Sequence, residues 1–541
     1  MLVQNRQPGV DSTAGIEKSI EIGRVVCVSG SQVMILLESD VHDDQPSSLQ
    51  KGGLVKMMMP DSVVFGIISG LTIPVPSQDR SEHETMLAEL ELIGEANGHG
   101  DFRRGISAFP ALGDPVWSVA SNDFAKVYAK PSATAIKIGT VHQERSRPVF
   151  VSPDDLLGKH FTILGTTGCG KSCAVTLILQ ALLDRHPDAH IVMLDPHNEY
   201  RKAFGDRAEV LGPDSLQLPY WLLNFEEIIS VILGEKKDIE NKDAIAAILG
   251  EFIPMAKRAF QGENQYEFDI TVDTPVPYRM NDIRQKLDQT MGKLEKPESL
   301  APYRWLKSRI EILSNDSRFA FMFGGITVHD RMAKILSRIF RIPANGRPVS
   351  IIDLSGVPSE VLNTVVSVIC RMTFDFALWS RGARPILLVC EEAHRYAPAN
   401  RELGFESTKE ALARIAQEGR KYGVSLCMIS QRPSELAPTI LSQCNTTFAF
   451  RMTSLRDQEI VRGITADGAY GLLDFLPSLG DAEAIVVGEG VSVPLRVCFD
   501  RLPADRQPQS ATAQFSAAWR NNDINEQFVM QVVEKWRRQQ R

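Results

Sequence analysis

Apolar and polar positions along this chain follow three different patterns. Between Ile20 and Val119 the apolar residues come in short runs rich in Val, Ile and Met: Ile20–Ser29, Gln32–Glu38, Leu54–Met59, Ser62–Ile73, Met86–Ile93 and Pro115–Val119. Turn residues separate them, at Ser29-Gly30-Ser31, Lys51-Gly52-Gly53 and Gly113-Asp114-Pro115. Short strands at regular spacing with such turns predict a small β-barrel. From Pro148 onward, apolar runs alternate with helical periodicity, which predicts a parallel sheet with crossover helices. His160–Leu164, Ile191–Leu194, Val349–Leu354, Ile386–Cys390 and Ser425–Ser430 read as its strands. Phe225 to Phe323 interrupts the alternation; its helical pattern, broken at Ile253-Pro254, Gln261-Gly262 and Thr274–Pro277, reads as a helical insertion. Beyond Arg451 come a helical stretch, then a hairpin, Glu483–Gly488 and Ser492–Phe499, turning on Gly488-Glu489-Gly490. A polar linker, Ala504–Thr512, precedes a last helix on which Phe528, Val529, Val532, Val533 and Trp536 recur at helical spacing. The expected organisation is therefore a flexible tail at 1–16, a β-barrel at 17–147, an α/β core at 148–224 and 324–480, a helical insertion at 225–323, and a C-terminal hairpin, linker and helix at 481–541.

Composition narrows the class. A chain of 541 residues with 43% hydrophobic and 23% charged residues is ordinary for a soluble globular protein. No stretch of sequence approaches the ~20 apolar residues of a membrane span, and Met1–Gly15 lacks the apolar core of a secretory signal. Eight cysteines are scattered without a C-x-x-C pair, which suits reduced thiols in a cytoplasm. The net charge of −8 shows no basic domain, so any nucleic-acid contact must rest on a local basic surface.

The chemistry begins at Gly165-Thr166-Thr167-Gly168-Cys169-Gly170-Lys171-Ser172, which fits G-x-x-x-x-G-K-[ST]. It lies between a predicted strand and the apolar helix that opens at Cys173. Glycines let backbone N–H groups close around phosphate oxygens, and the helix N-terminus adds its dipole there. Lys171 should reach the β- and γ-phosphates of ATP, and Ser172 should hold Mg²⁺. The fold class is thus α/β, with a RecA-like P-loop NTPase core. The strand Ile386–Cys390 ends in Glu391-Glu392. We assign Glu391 to the metal side and Glu392 to the attacking water, since hydrolysis needs both a metal ligand and a base. Asp195, Asp353 and Gln431 end other strands and point to the same edge; Asp195 joins the nucleotide-binding set. Gln431 can sense the γ-phosphate or hold the attacking water. Ser407-Thr408-Lys409-Glu410 reads as a capping box opening a helix that stops at Gly423. Arg420 lies about a quarter-turn from its apolar stripe of Leu412, Ile415 and Ala416. There it either satisfies the helix dipole or crosses to a neighbouring subunit's phosphate.

Further stretches complete the picture: Asp195-Pro196-His197-Asn198-Glu199-Tyr200, Glu391 through Pro398, Glu418-Gly-Arg-Lys-Tyr-Gly423, Ser430-Gln-Arg-Pro-Ser-Glu-Leu436 and Ser442-Gln-Cys-Asn-Thr446. Together with the phosphate loop they resemble the HerA family of HerA/FtsK translocases, over nearly the whole chain. Asn198 departs from the family's signature, which has Gly there. The resemblance implies a homohexameric ring, ATP between subunits, duplex DNA in the pore, and Arg420 acting in trans. It also implies that the C-terminal segment braces a neighbour, which brings Arg496 toward that site. A ring repeats a few basic residues around one axis, so Lys202, Arg395 and Arg401 become pore candidates. Relatives work with a separate effector: a NurA-type nuclease, a sirtuin-like NADase or another nuclease, in DNA end processing or anti-phage defence. The leading expectation is an ATP-driven DNA motor. The competing ones are an ATP-regulated ring scaffold for an effector and, disfavoured by the lack of a membrane segment, a secretion ATPase.

Overall fold

The computed structural model describes residues 19–38, 49–74, 85–97, 101–234, 241–261, 268–293, 297–324, 328–400, 406–465, 470–509, 515–520 and 525–537. The expected tail 1–16 and Arg401 lie outside the described residues.

The N-terminal strands are β1 (Glu21–Ser29), β2 (Gln32–Leu37), β3 (Leu54–Met58), β4 (Ser62–Thr72), β5 (Leu87–Asn97), β6 (Phe102–Arg104) and β7 (Pro115–Ser118). They pair antiparallel in the order β2-β1-β7-β3-β4-β5-β6, and a further β2–β5 pairing closes six of them into a barrel. The alternation that suggested strands is the alternation that fills this barrel. Val33, Ile35 and Leu37 of β2 point inward, beside Ile22, Val25, Val55, Met57, Val64, Ile68, Leu90 and Val116. Among the described residues, closure leaves only the short β6 as an edge.

The second sheet contains β8 (Ile136–Val141), β9 (Pro148–Val151), β10 (Phe161–Leu164), β11 (His190–Asp195), β12 (Ala208–Leu211), β13 (Val349–Asp353), β14 (Ile386–Cys390), β15 (Val424–Ser430), β16 (Thr446–Phe450), β17 (Glu483–Gly488) and β18 (Leu495–Phe499). Its order is β12-β13-β11-β14-β15-β10-β16-β17-β18-β8-β9. From β12 to β16 every pairing is parallel; from β16 onward every pairing is antiparallel. Two features differ from the sequence-based expectation. Residues 136–141, placed with the barrel, form β8 and pair with β18. The C-terminal hairpin β17–β18 also does not stand apart: it extends this same sheet past β16. A hairpin pattern fixes local pairing but does not say which sheet edge it joins.

The helix Ser359–Trp379 corrects the expectation that nothing approaches a membrane span. It spans 21 residues and is apolar enough by composition, yet 67% of its most apolar window is buried inside the protein. Val361, Val365, Val366, Val368, Ile369 and Phe374 pack into the core. The insertion is helical, with Phe225–Leu233, Lys242–Gln261, Met280–Met291 and Pro297–Asn315 as its long elements. Asn224 starts the first of them: its side chain accepts from the Glu227 N–H at 2.8 Å, and the Glu227 carboxylate accepts from the Asn224 N–H at 2.9 Å. The same Glu227, almost fully buried, pairs with Arg371 of the core helix at 2.8 Å. One carboxylate thus caps the insertion and ties it to the core.

Candidate nucleotide site

β10 ends at Leu164, and the helix Lys171–Arg185 begins after six residues of loop. The backbone there admits only glycine at two decisive places. Gly165 has φ +154°, and a Cβ on it would stand 2.5 Å from Phe450 Cβ. Gly170, at φ +105°, is the left-handed residue from which the helix starts. The loop is held from outside by backbone bonds: the Thr166 N–H donates to the Arg451 carbonyl, and the Ala482 N–H to that of Cys169, both at 3.0 Å. Cys169 is buried and Cys173 exposed. Lys171 is only 7% exposed, and its ammonium donates to the Thr166 carbonyl at 2.9 Å. A buried cation thus sits under a nest of N–H groups at a helix N-terminus, which suits a polyphosphate.

The carboxylates at the end of β14 occupy unlike surroundings. Glu391 is buried, and its carboxylate accepts from the Tyr200 hydroxyl at 2.6 Å. Burial pushes its carboxyl up to about 8, opposed by the Tyr200 hydrogen bond and reinforced by the neighbouring Glu392 charge. Glu392 sits at φ +49°, ψ +45°, a left-handed conformation that costs a non-glycine residue about 1–3 kcal/mol. Its Oε1 accepts from the Gln431 amide, and Gln431 in turn accepts from the Thr167 hydroxyl of the phosphate loop. A side-chain relay therefore runs Thr167–Gln431–Glu392. The other Glu392 oxygen is buried with no hydrogen-bond partner, 3.3 Å from His394 Nδ1. Burial raises the Glu392 carboxyl, with Lys171 and His197 pulling the other way. Burial also lowers the affinity of His394 for a proton.

Ser172 completes the cluster. Its hydroxyl donates to Glu199 at 3.1 Å and also reaches the Tyr200 phenol. Ser172, Glu199 and Glu391 are hard oxygen donors of the kind magnesium takes. These residues fit that ion, and the unpartnered Glu392 oxygen beside them stays free for water.

Not every expected residue meets this cluster. Asp195 is fully buried, but both its carboxylate oxygens accept backbone N–H groups, from His197 and Tyr200, each at 3.1 Å. It shapes the turn that delivers Glu199 and Tyr200 rather than facing the loop itself. Asp353 lies four strands from β10, or ~19 Å along the sheet. It accepts from its own Ser355 at 2.6 Å. Ser407 does not start the helix Glu406–Glu418 but lies inside it. The adjacent Thr408 turns its hydroxyl to the Asn363 carbonyl at 3.1 Å, so tertiary contacts outweigh the capping pattern. Arg420 stands exposed in the turn Gly419–Tyr422 at the start of β15, the end of the sheet opposite the phosphate loop. Arg496 pairs with Glu483 at 2.6 Å within the same chain. Glu199, Tyr200 and His394 are the site residues that motif spacing did not single out. Tyr200 and Glu199 are signalled only by belonging to the Asp195 motif, and His394 only by following the two carboxylates.

Lys202, Arg395 and their surroundings lie elsewhere along the same edge. Lys202 and Arg395 are exposed and make no ion pair among the described residues. Arg395 lines a groove of 2350 Å³ together with Arg201, Arg331, His197 and Asp353, between the ends of β11 and β13 and the insertion.

Glu391 gives a pH test. A carboxyl whose folded-state value is raised loses stability as pH climbs from its ordinary value of 4.5 toward about 8, because the folded form must then bury the charge. In nucleotide- and magnesium-free protein, Glu391→Gln should melt with the wild type near pH 5 and above it near pH 9, by roughly 2–4 °C per kcal/mol relieved. An equal offset at both ends would mean that the burial cost belongs to another group.

Comparison with known proteins adds the following. A sequence model of the central domain of the helicase HerA matches residues 136–373. The DNA double-strand break repair helicase HerA of Pyrococcus furiosus is 24% identical over 470 residues, covering 79% of this chain and 80% of that protein. A probable DNA double-strand break repair helicase HerA of Methanocaldococcus jannaschii is 26% identical over 480 residues, covering 81% and 88%. Among solved structures, VirB4 of Thermoanaerobacter pseudethanolicus is 17% identical with a TM-score of 0.49, covering 70% of this chain and 99% of that one. The bacterial conjugative coupling protein TrwB, 15% identical, has a TM-score of 0.45 and covers 72% and 93%.

Proposed function

The chain belongs to the HerA family, and from that premise we propose that it is an ATP-hydrolysing motor on double-stranded DNA, built as a homohexameric ring with its ATP sites between subunits. The observation that carries this reading is the division of the site. Loop, carboxylates and Gln431 gather at one edge of the sheet, while Arg420 lies at the other. The seven residues of β15 separate Arg420's turn from Gln431, a span of ~23 Å at strand rise. Arg420 therefore cannot serve its own cradle, and only a neighbouring subunit gives it one.

Within such a site Lys171 binds the β- and γ-phosphates. Glu392, with one oxygen free, orients the attacking water and takes its proton. Gln431 links Glu392 to Thr167, so the base is coupled to whatever occupies the loop. Magnesium, held by Ser172 and Glu391 with Glu199 at hand, supplies charge neutralisation when bound. DNA would track the groove that carries Arg201, Arg331 and Arg395, a local basic surface on an acidic chain. Among the described residues no second hydrolytic constellation stands beside this one, so DNA end processing or defence requires a separate effector, a nuclease or NADase, with the barrel as its docking face. Duplex DNA should raise the ATPase rate. Assembled rings indifferent to DNA would favour instead a ring that scaffolds the effector.

Mixing tests the division. Arg420→Ala and Lys171→Ala subunits are each expected to be inactive. Mixed rings should recover part of the hydrolysis, because an intact loop then faces an intact arginine. Mixed assembly verified by mass, with no recovery at any ratio, would reduce Arg420 to a helix-end cation.

A further inference from the structure

We propose that His142, Glu483 and Cys498 form a transition-metal site of the zinc class, distinct from the phosphate cradle. Sequence spacing hides it, since the three residues come from the end of β8 and from β17 and β18. Those strands are neighbours in the sheet, and their pairing brings the ligating atoms together. His142 Nδ1 is 3.0 Å from Glu483 Oε1, Cys498 Sγ is 3.5 Å from His142 Nδ1, and Cys498 Sγ is 3.4 Å from Glu483 Oε1. Three vertices of a tetrahedron around zinc, with bonds of ~2.0–2.3 Å, stand about 3.3–3.6 Å apart. The triangle already present needs only a few tenths of an ångström to become that face.

The donor set has the right chemistry: one imidazole, one thiolate and one carboxylate, of the kind zinc sites combine. Burial lowers the affinity of His142 for a proton, the Arg496 charge acting in the same direction and Glu483 against it. Glu483 is ionised: its carboxyl falls to about 2, the Arg496 and Gly480 hydrogen bonds outweighing its burial. Its second oxygen accepts from the Arg496 guanidinium at 2.6 Å and from the Gly480 N–H at 3.0 Å. Those outer contacts fix the carboxylate so that its other oxygen faces the imidazole and the thiol. The Cys498 thiol, pushed up to about 11 by burial and Glu483, arrives protonated. Metal binding would release that proton to solvent and shift the His142 proton from Nδ1, where it faces the Glu483 carboxylate, to Nε2. Carboxylate and thiolate then balance the two charges of the ion. Arg496 and Arg145 oppose the cation; Arg496 is engaged with Glu483 and Arg145 is exposed to screening solvent. The His142 side chain is 29% exposed, which leaves an entry path and room for a water as fourth ligand.

The site's position gives it a consequence. Ala482, next to Glu483, donates its N–H to the Cys169 carbonyl in the phosphate loop, and its own carbonyl accepts from the Phe499 N–H. Metal binding would lock β8, β17 and β18 together directly behind the loop.

Cobalt(II) reads this without relying on activity. Metal-free full-length protein, titrated with Co²⁺ in the absence of nucleotide and magnesium, should bind one equivalent per chain. It should develop a thiolate-to-cobalt band in the near ultraviolet and tetrahedral d–d bands, both erased by Zn²⁺. Cys498→Ala should lose the near-ultraviolet band, and Zn²⁺ should raise the melting midpoint of the wild type but not of this variant. Should Cys498→Ala not fold, His142→Gln, just past β8, must weaken Co²⁺ binding at least tenfold. Absence of a thiolate band in the wild type overturns the proposal. So does a band that persists in Cys498→Ala, which would belong to an exposed thiol such as Cys27 or Cys173, and so does undiminished binding in His142→Gln.

Discussion

Glu392→Gln lowers ATP turnover by roughly 10²–10⁴-fold, the usual cost of losing a general base, while ATP remains bound. The substitution keeps the side chain's size and can keep the contact with Gln431, so the relay to Thr167 survives in shape. What disappears is the one carboxylate oxygen among the described residues that is buried and unpartnered. That oxygen stands free beside the relay, whereas a Glu391 oxygen is committed to the Tyr200 hydroxyl. Glu391→Gln should behave differently: it weakens the magnesium requirement of binding and lowers the apparent affinity for magnesium-ATP. Turnover measured beside filter-binding of labelled ATP separates the two. If Glu391→Gln holds ATP without hydrolysing it while Glu392→Gln still turns over, the division of roles is reversed.

How much of this was legible depended on whether the signal was local. The phosphate loop, the carboxylate pair and Gln431 each follow an apolar strand, and strand, turn and polar residue are contiguous in sequence. β12 and β16 are no shorter than β10 and β14, but neither leads into a phosphate-loop or carboxylate motif that would single it out, although β16 flanks the phosphate-loop strand. β8 was read into the barrel because antiparallel strands of either sheet share one pattern; only the β18 pairing decides. Asp195 shows the limit for side chains. A carboxylate at a strand end signals the site, but whether it faces ligand or its own backbone depends on a turn whose N–H groups point inward. Arg420 shows the opposite limit. Its helical phase alone favours a helix-end cation over a trans role, and only the sheet register shows that it lies a full strand length from its own chain's cradle.

Lys171→Ala should abolish nucleotide binding and bring turnover to background while leaving the fold intact. The side chain is the one buried cation in the loop, and the phosphate charges it would meet have no other ammonium among the described residues lining it. Without it the N–H nest and the helix dipole remain, but these partial charges do not replace a full one near a desolvated γ-phosphate. The fold does not depend on the ammonium. The helix Lys171–Arg185 is anchored by Ala174, Val175, Ile178, Leu179, Leu182 and Leu183, all buried, and after truncation the Thr166 carbonyl still accepts from the Cys169 thiol at 2.8 Å. Ligand-dependent melting separates lost binding from lost structure. At a ligand concentration 100 times the dissociation constant, binding stabilises the native state by about 2.7 kcal/mol. Wild type should therefore melt several degrees higher with magnesium-ATP than without it. Lys171→Ala should melt near the nucleotide-free wild type under both conditions. A variant that keeps the nucleotide-induced shift, or turns ATP over at the wild-type rate, would remove the phosphate cradle from this loop.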